Sequence, residues 1–214
     1  KNIFEEDLLR TQIERFRKKY TFSYHKINDS VSGEKLNSDL KRLWDNQLNV
    51  VVFNFVDMLS HARTDSKMIR ELAATEAAYR SLTKSWFQHS SIVEFFQLLA
   101  KNKVKVLLTT DHGTIKVNNA IRVVGDRNTN TNLRYKVGKN LNYNPKEVFE
   151  VKRPEKIGLP LPNVSSTYIF AGNDDFFAYP NSYNHYVSYY KNTFQHGGVS
   201  LEEMIVPLVT LLPR

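Results

Sequence analysis

No cysteine occurs anywhere in the sequence. Disulfides and thiolate metal sites are therefore excluded, and the composition fits a reducing compartment. No apolar run approaches the roughly 20 residues that a membrane-crossing helix needs, and no stretch reads as a signal peptide. The expectation is a cytoplasmic protein without a membrane partner. There is no internal repeat and no low-complexity tract. Acids are the minority charge: 22 Asp and Glu stand against 30 Lys and Arg, a net +8. That balance favours an anionic partner, such as a nucleotide, a nucleic acid or a phosphoester, although a merely basic surface has the same composition. What is plentiful is apolar material, 41% of 214 residues, enough for the core of one large domain or two small ones. The chain begins at Lys1 rather than Met, so a piece of something longer is expected.

Periodicity sorts the chain into elements. Phe4 to Tyr20 predicts an amphipathic helix, with Leu8, Leu9, Ile13 and Phe16 in one stripe. Thr21 to Lys26 reads as a short strand, Asp29-Ser30 and Ser32-Gly33 as punctuation, and Glu34 to Trp44 as a helix. Asn49 to Asp57 is a strand. Ser66 to Arg80 and Ser90 to Asn102 are helices, and Val104 begins another strand. Strand, helices, strand is the pattern of a parallel α/β unit, with a right-handed crossover. Lys116 to Lys156 is different: ten Lys or Arg face four acids there, +6 of the total +8. Thr167 to Ala171 reads as a strand and Tyr183 to Tyr190 as an aromatic-rich run. Ser200-Leu201-Glu202-Glu203 has the form of a capping box, and Met204 to Leu212 is the last strand.

Chemistry gathers where apolar runs stop. Val104, Val106, Leu107 and Leu108 predict a buried strand, and it ends in Thr109-Thr110-Asp111-His112-Gly113. Open α/β sheets place their ligands at such carboxyl ends. Neighbouring strand residues point to opposite faces, so Asp111 and His112 serve one site only if the backbone turns, which Gly113 permits. The run Val50 to Val56 ends in Asp57, and His61 follows four residues later; if the chain leaves the strand into a helical turn, both side chains fall on one side. His196 stands before Gly197-Gly198. One such place is as readily a polar loop as a site. Three in one chain point to a centre built from carboxylate and imidazole, donors that suit zinc, manganese or iron. His25, His89 and His185 read as structural.

In that order, Asp57-x-x-x-His61, Thr110-Asp111-His112-Gly113 and His196-Gly197-Gly198 resemble the metal-ligand series of the alkaline phosphatase superfamily, most closely its PglZ branch. Val56-Asp57-Met58-Leu59-Ser60-His61-Ala62-Arg63-Thr64, Gly125-Asp126-Arg127-Asn128 and His196-Gly197-Gly198-Val199-Ser200-Leu201-Glu202-Glu203-Met204 are similar to the effector domain of PorX-type response regulators of Bacteroidetes. The resemblance runs through nearly the whole chain. It implies an α/β fold with a mostly parallel central sheet flanked by helices. Residues 1–214 would form the C-terminal portion of that domain, and 114–163 a basic insertion or lid within it. Two zinc ions are implied, with manganese as the substitute. Asp57, His61 and His196 would hold one, Asp111 and His112 the other. The family completes the second site with an earlier Asp and a Ser or Thr nucleophile. Neither is evident before Asp57, since Thr11 falls mid-helix and Ser30 and Ser32 in a loop. No catalytic nucleophile is therefore assigned in this chain. It is expected upstream of Lys1, and residues 1–214 alone are expected to be inactive.

Arg127, Asn128, Arg134 and Tyr135 are the substrate-side candidates, because a guanidinium takes phosphate bidentately and a ring stacks on a base. The leading expectation is a metal-dependent phosphodiesterase acting on nucleotides or short oligonucleotides; a phosphomonoesterase would use the same ligands. The resemblance adds an upstream receiver domain with regulatory protein partners, a link to type IX secretion, and a homodimer as one oligomeric state. Two rivals stay open. One is a non-catalytic docking module that keeps a structural metal site; the other is a nucleic-acid-binding domain without chemistry.

Overall fold

The structure is a computed structural model that describes residues 4–213. The chain divides into two compact units. The first holds the residues up to Ala62, Glu71–Lys105 and the chain from Leu212; the second holds Arg63–Arg70 and Val106–Leu211.

In the first unit, helix α1 (Glu5–Arg15) precedes strand β1 (Phe22–Ile27), which pairs in parallel with β2 (Leu48–Phe53) in the register Ile27 to Phe53. Helix α2 (Ser30–Ser38) follows β1 directly. Asp29 caps it: the carboxylate accepts the Ser32 amide at 2.7 Å, and the Ser32 hydroxyl accepts the Asp29 amide, satisfying two donors that a helix start leaves open. This corrects the expectation that Ser30 and Ser32 lie in a loop. They open a helix, and local hydroxyl and carboxylate caps are the reason. Helix α3 (Phe55–Asp65) starts right after β2, and its first eight residues belong to this unit. The single helix expected over Ser66 to Arg80 is two: α4 (Lys67–Leu72) and α5 (Glu76–His89). The break arises because the Thr75 hydroxyl accepts the Ala78 amide and caps α5. Helix α6 (Ser91–Lys101) completes the unit. The core is apolar and aromatic: Ile27, Leu36, Leu40, Leu43, Ile92, Phe95 and Leu99 are buried, Phe53 packs on Phe95, and Phe55 stacks on Trp86 with centroids 4.3 Å apart. The α1 stripe remains partly unpacked, with Leu8 and Phe16 exposed.

The second unit holds most of the strands. Among the described residues, β3 (Val106–Thr109) pairs antiparallel with β11 (Leu208–Leu211), and β4 (Ile115–Lys116) with β10 (Phe194–Gln195). Strand β5 (Asn119–Arg122) runs parallel to β9 (Asp175–Ala178), and β6 (Tyr135–Gly138) and β7 (Phe149–Val151) flank β8 (Thr167–Phe170). Helices α7 (Tyr183–Tyr190) and α8 (Leu201–Met204), and the segment Arg63–Arg70 with most of α4, complete it. The α/β class holds, but the strands form five small sheets, of which β1–β2 and β5–β9 are parallel. The strand expected to be buried from Val104 is instead exposed: Leu107 and Leu108 are open to solvent, as are Leu208 and Val209 beside them. An apolar run has the same sequence whether or not an element covers it.

Strand alternation builds the core of this unit. Phe177 joins Ile121, Val123, Ile169 and Ala171, while its neighbours Phe176 and Ala178 pack with Val117. The basic stretch 114–163 thus contributes β4 to β7 and the core residues Val117, Ile121 and Val123 to the unit. It also buries two of its own cations, Arg134 and Lys136. Lys136 Nζ donates to the Asn130 carbonyl and lies 4.7 Å from the centre of the Tyr179 ring.

Burial pushes the Lys136 amine down to about 8, whereas an unfolded lysine titrates near 10.4. The sign follows from proton counting. Between about pH 8 and 10.4 the unfolded chain holds the extra proton, so stability rises with pH across that window, by up to about 3 kcal/mol. The Lys136→Met variant should lose this rise. Denaturant unfolding of both proteins at pH 7 and pH 10 reads the difference, and parallel pH dependences would count against a buried cation.

Candidate metal centre

In the first unit, β2 delivers the chain into α3 with little slack. The Asn54 amide donates to the Ile27 carbonyl, and the Met58 amide donates to Asn54. Asp57 lies in the first turn of α3, where an acid suits the helix dipole. His61 lies one turn on, and Asp57 Oδ1 and His61 Nε2 are 3.5 Å apart. The sequence reading missed what holds this turn. Tyr79 on α5 is buried; its hydroxyl donates to the Val56 carbonyl at 2.9 Å and lies 2.7 Å from the Ser60 hydroxyl. Nothing in the spacing of an aromatic residue on a helix betrays such a role.

In the second unit, His112 lies beside His196 and beside Asp111. The rings of His112 and His196 stack, centroids 4.0 Å apart and planes 10° from parallel. One ring nitrogen of each lies within 4.8 Å of the other. Asp111 Oδ2 is 3.8 Å from His112 Nε2. His112 Nδ1 lies 2.9 Å from the Gly113 carbonyl. A carbonyl only accepts, so Nδ1 carries the proton there and the Nε2 lone pair is left for a ligand. Imidazoles that bind metals are commonly fixed in this way. Thr110 is not a free hydroxyl: its Oγ1 lies 2.9 Å from the His112 carbonyl and 3.4 Å from Asp111 Oδ1, with one proton to donate.

These donors fit a divalent cation. Ligand atoms 2.0–2.2 Å from one tetrahedral ion are about 3.3–3.6 Å from each other. The Asp57–His61 separation falls in that range and the Asp111–His112 separation lies just above it, and both exceed an ordinary hydrogen bond. Nitrogen and carboxylate donors without thiolate suit zinc or manganese.

The substrate-side candidates divide. Arg127 and Asn128 are exposed, the latter in a turn where its amide donates to Asp126 at 2.8 Å. The Tyr135 ring lies against Gly197, next to His196, and stacks on Phe170. Arg134 is a correction. It is wholly buried, with Nε and Nη2 on the Glu203 carboxylate, Nη1 on the carbonyls of Gly172 and Asp175, and Nη2 also on Asn173. All five guanidinium N–H groups are taken, and none is left for a phosphate. Burial pushes the Glu203 carboxyl up. Hydrogen bonds from Arg134, Ser200 and Gly198, with the Arg134 charge, outweigh that and hold it below the usual range.

The three remaining described histidines have other places. His25 contacts Ser23, His89 contacts the Ser85 carbonyl, and His185 packs on Tyr186 and Tyr189. Replacing Tyr79 by Phe should destabilise the chain by about 1–3 kcal/mol, because it removes the hydrogen bonds to the Val56 carbonyl and the Ser60 hydroxyl. Urea unfolding measures this, and a change below about 0.5 kcal/mol would remove Tyr79 from the support of α3.

The sequence matches the model of the BREX system PglZ alkaline phosphatase-like domain over residues 4–211. No curated protein matches it. Domains of this kind are of metal-dependent phosphoesterase type, and no helix among the described residues is long and apolar enough to cross a membrane. The match spans nearly the whole chain and contains the Asp-His series in order, and the chain belongs to the PglZ family of alkaline phosphatase-like domains.

Proposed function

We propose that this domain is part of a metal-dependent phosphodiesterase acting on nucleotides or short oligonucleotides. The observation that carries the reading is the stacked His112–His196 pair with Asp111 beside it, in a domain of the PglZ family. Asp57 and His61 would join His196 around one zinc ion, with Asp111 and His112 on a second; manganese is the substitute. Such ions supply positive charge to the attacking and leaving oxygens of a phosphoryl transfer. The chain's own residues orient. The Gly113 carbonyl holds His112 in the ligand-ready tautomer, and Tyr135, against Gly197, offers a ring to a base. Arg127, exposed at its turn, offers a bidentate donor to phosphate.

The Thr110 hydroxyl is engaged by the His112 carbonyl and Asp111 Oδ1, so Thr110 is not assigned as the attacking hydroxyl. The parallel β1–β2 pair supports a place in a mostly parallel sheet. The wording of residues 56–64, 125–128 and 196–204 supports a PorX-type effector, with a receiver domain, regulatory partners, a link to type IX secretion and a cytoplasmic setting. A docking module with a structural metal is the second reading. The observation in its favour is that Arg134 and Lys136, two cations of the basic stretch, serve the core and not the surface.

Metal content tests the ligand set. His61→Ala and His196→Ala should each lower bound zinc, measured by elemental analysis after dialysis, while His89→Ala should leave it unchanged. Equal content in all three would reject the assignment. Substrate contact has a separate test. Arg127→Ala should weaken binding of a short single-stranded oligonucleotide and flatten its dependence on log salt by about 0.7, one phosphate contact, without changing metal content. An unaltered slope would leave the docking module as the better reading.

A further inference from the structure

Glu203 touches both histidine turns. Its side chain accepts the Gly198 amide at 2.9 Å, two residues after His196, and its main-chain carbonyl accepts the Gly113 amide at 2.9 Å, one residue after His112. The carboxylate is itself fixed on three sides. Arg134 Nε and Nη2 bind it at 2.9 and 2.6 Å, and the Ser200 amide and hydroxyl at 3.1 and 2.6 Å. Arg134 is tied in turn to the carbonyls of Gly172, Asn173 and Asp175 at the start of β9. Both turns approach this point too closely for a side chain. A Cβ on Gly113 would lie 1.9 Å from the Glu202 carbonyl oxygen. One on Gly198 would lie 2.5 Å from the Ala171 carbonyl oxygen and 2.6 Å from Arg134 Nη2.

We propose that the buried Arg134–Glu203 pair is a positioning device that sets the spacing and stacking of the His112 and His196 imidazoles for a shared metal centre. The inference rests on the metal reading above. Glu203 and Arg134 touch no ligand side chain; they act through the backbone of the two glycine turns. Because one residue anchors both turns, loosening it moves the two imidazoles relative to each other, which a loss of general stability elsewhere does not do. Supporting groups of this kind are worth about 10–100-fold in metal affinity.

The test uses the full chain and two readouts. Zinc affinity, by competition with a chromophoric chelator, should fall about 10–100-fold in Glu203→Gln. Arg134→Lys, which keeps the charge and loses the fork, should lie between that variant and the parent, and the double variant should be no worse than Glu203→Gln, since the two act as one unit. Ile92→Val, a change in the core of the first unit, should leave affinity unchanged. Ser200→Ala, which removes one hydroxyl donor from the carboxylate, gives a milder variant should Glu203→Gln not fold; a several-fold loss is expected. The second readout needs no metal. Amide hydrogen exchange at Gly113 and Gly198 should accelerate together in Glu203→Gln. Parent-like affinity in both Glu203→Gln and Ser200→Ala, or separate behaviour of the two amides, would overturn the inference. A parent protein that binds no zinc would sink the metal reading by itself, and the paired exchange of Gly113 and Gly198 would then decide whether the anchor exists.

Discussion

Arg134 and Glu203 are both buried in the second unit and meet at 2.6 Å. Taking two charges out of water costs several kcal/mol for each, and the cost is recovered only when every remaining donor and acceptor is satisfied. Here they are. The guanidinium gives all five N–H groups, and the carboxylate accepts from Arg134, Gly198 and Ser200. The pair is therefore all-or-none: with one partner gone, the other is a buried charge, at a cost of about 3–5 kcal/mol. The Gly172–Asp175 turn, the His196 turn, the His112 turn and the cap of α8 all hang on it. A specific arrangement of this kind defines where the backbone goes more sharply than apolar contact does, because each bond has a direction.

Much of the fold was legible in the sequence because local chemistry agrees with tertiary placement. The helix at Ser91–Lys101, the strands at Phe22–Ile27 and Thr167–Phe170, and the capping box at Ser200 lie where periodicity and cap residues put them, whereas the strand expected over Asn49 to Asp57 ends at Phe53 and Asp57 stands in α3. The misses have physical causes. The break at Thr75 and the start of α2 at Ser30 turn on single hydroxyl or carboxylate caps, which periodicity overlooks. The exposure of Leu107 and Leu108 was invisible, because an apolar run states only what a strand would bury.

The candidate site was legible to a different degree. Ligand-type residues announce themselves by position: acids and histidines at the ends of apolar runs, next to glycine. The Asp111, His112 and His196 grouping in the second unit is of this sort. Residues that support them do not. A count of basic residues treats Arg134 and Lys136 as surface charge, yet one is a buried hub and the other a buried amine against Tyr179. Charge in sequence is a number; its environment decides whether it meets a ligand, a carboxylate or a ring.

The same division of labour recurs at each ligand-bearing turn. The turn of α3 that bears Asp57 and His61 is held through the Val56 carbonyl by Tyr79. The His112 turn is held through the Gly113 amide by the Glu203 carbonyl, and the His196 turn through the Gly198 amide by the Glu203 carboxylate. In every case the main chain is fixed by a group that is not itself a ligand. Carboxylates and imidazoles can then stand 3.5–4 Å from one another, a spacing that gives little stability by itself, while remote hydrogen bonds carry its cost. It follows that the ligands and their supports fail differently. Loss of a ligand removes a donor from an intact frame, whereas loss of a support leaves every donor present in a frame that no longer aims them.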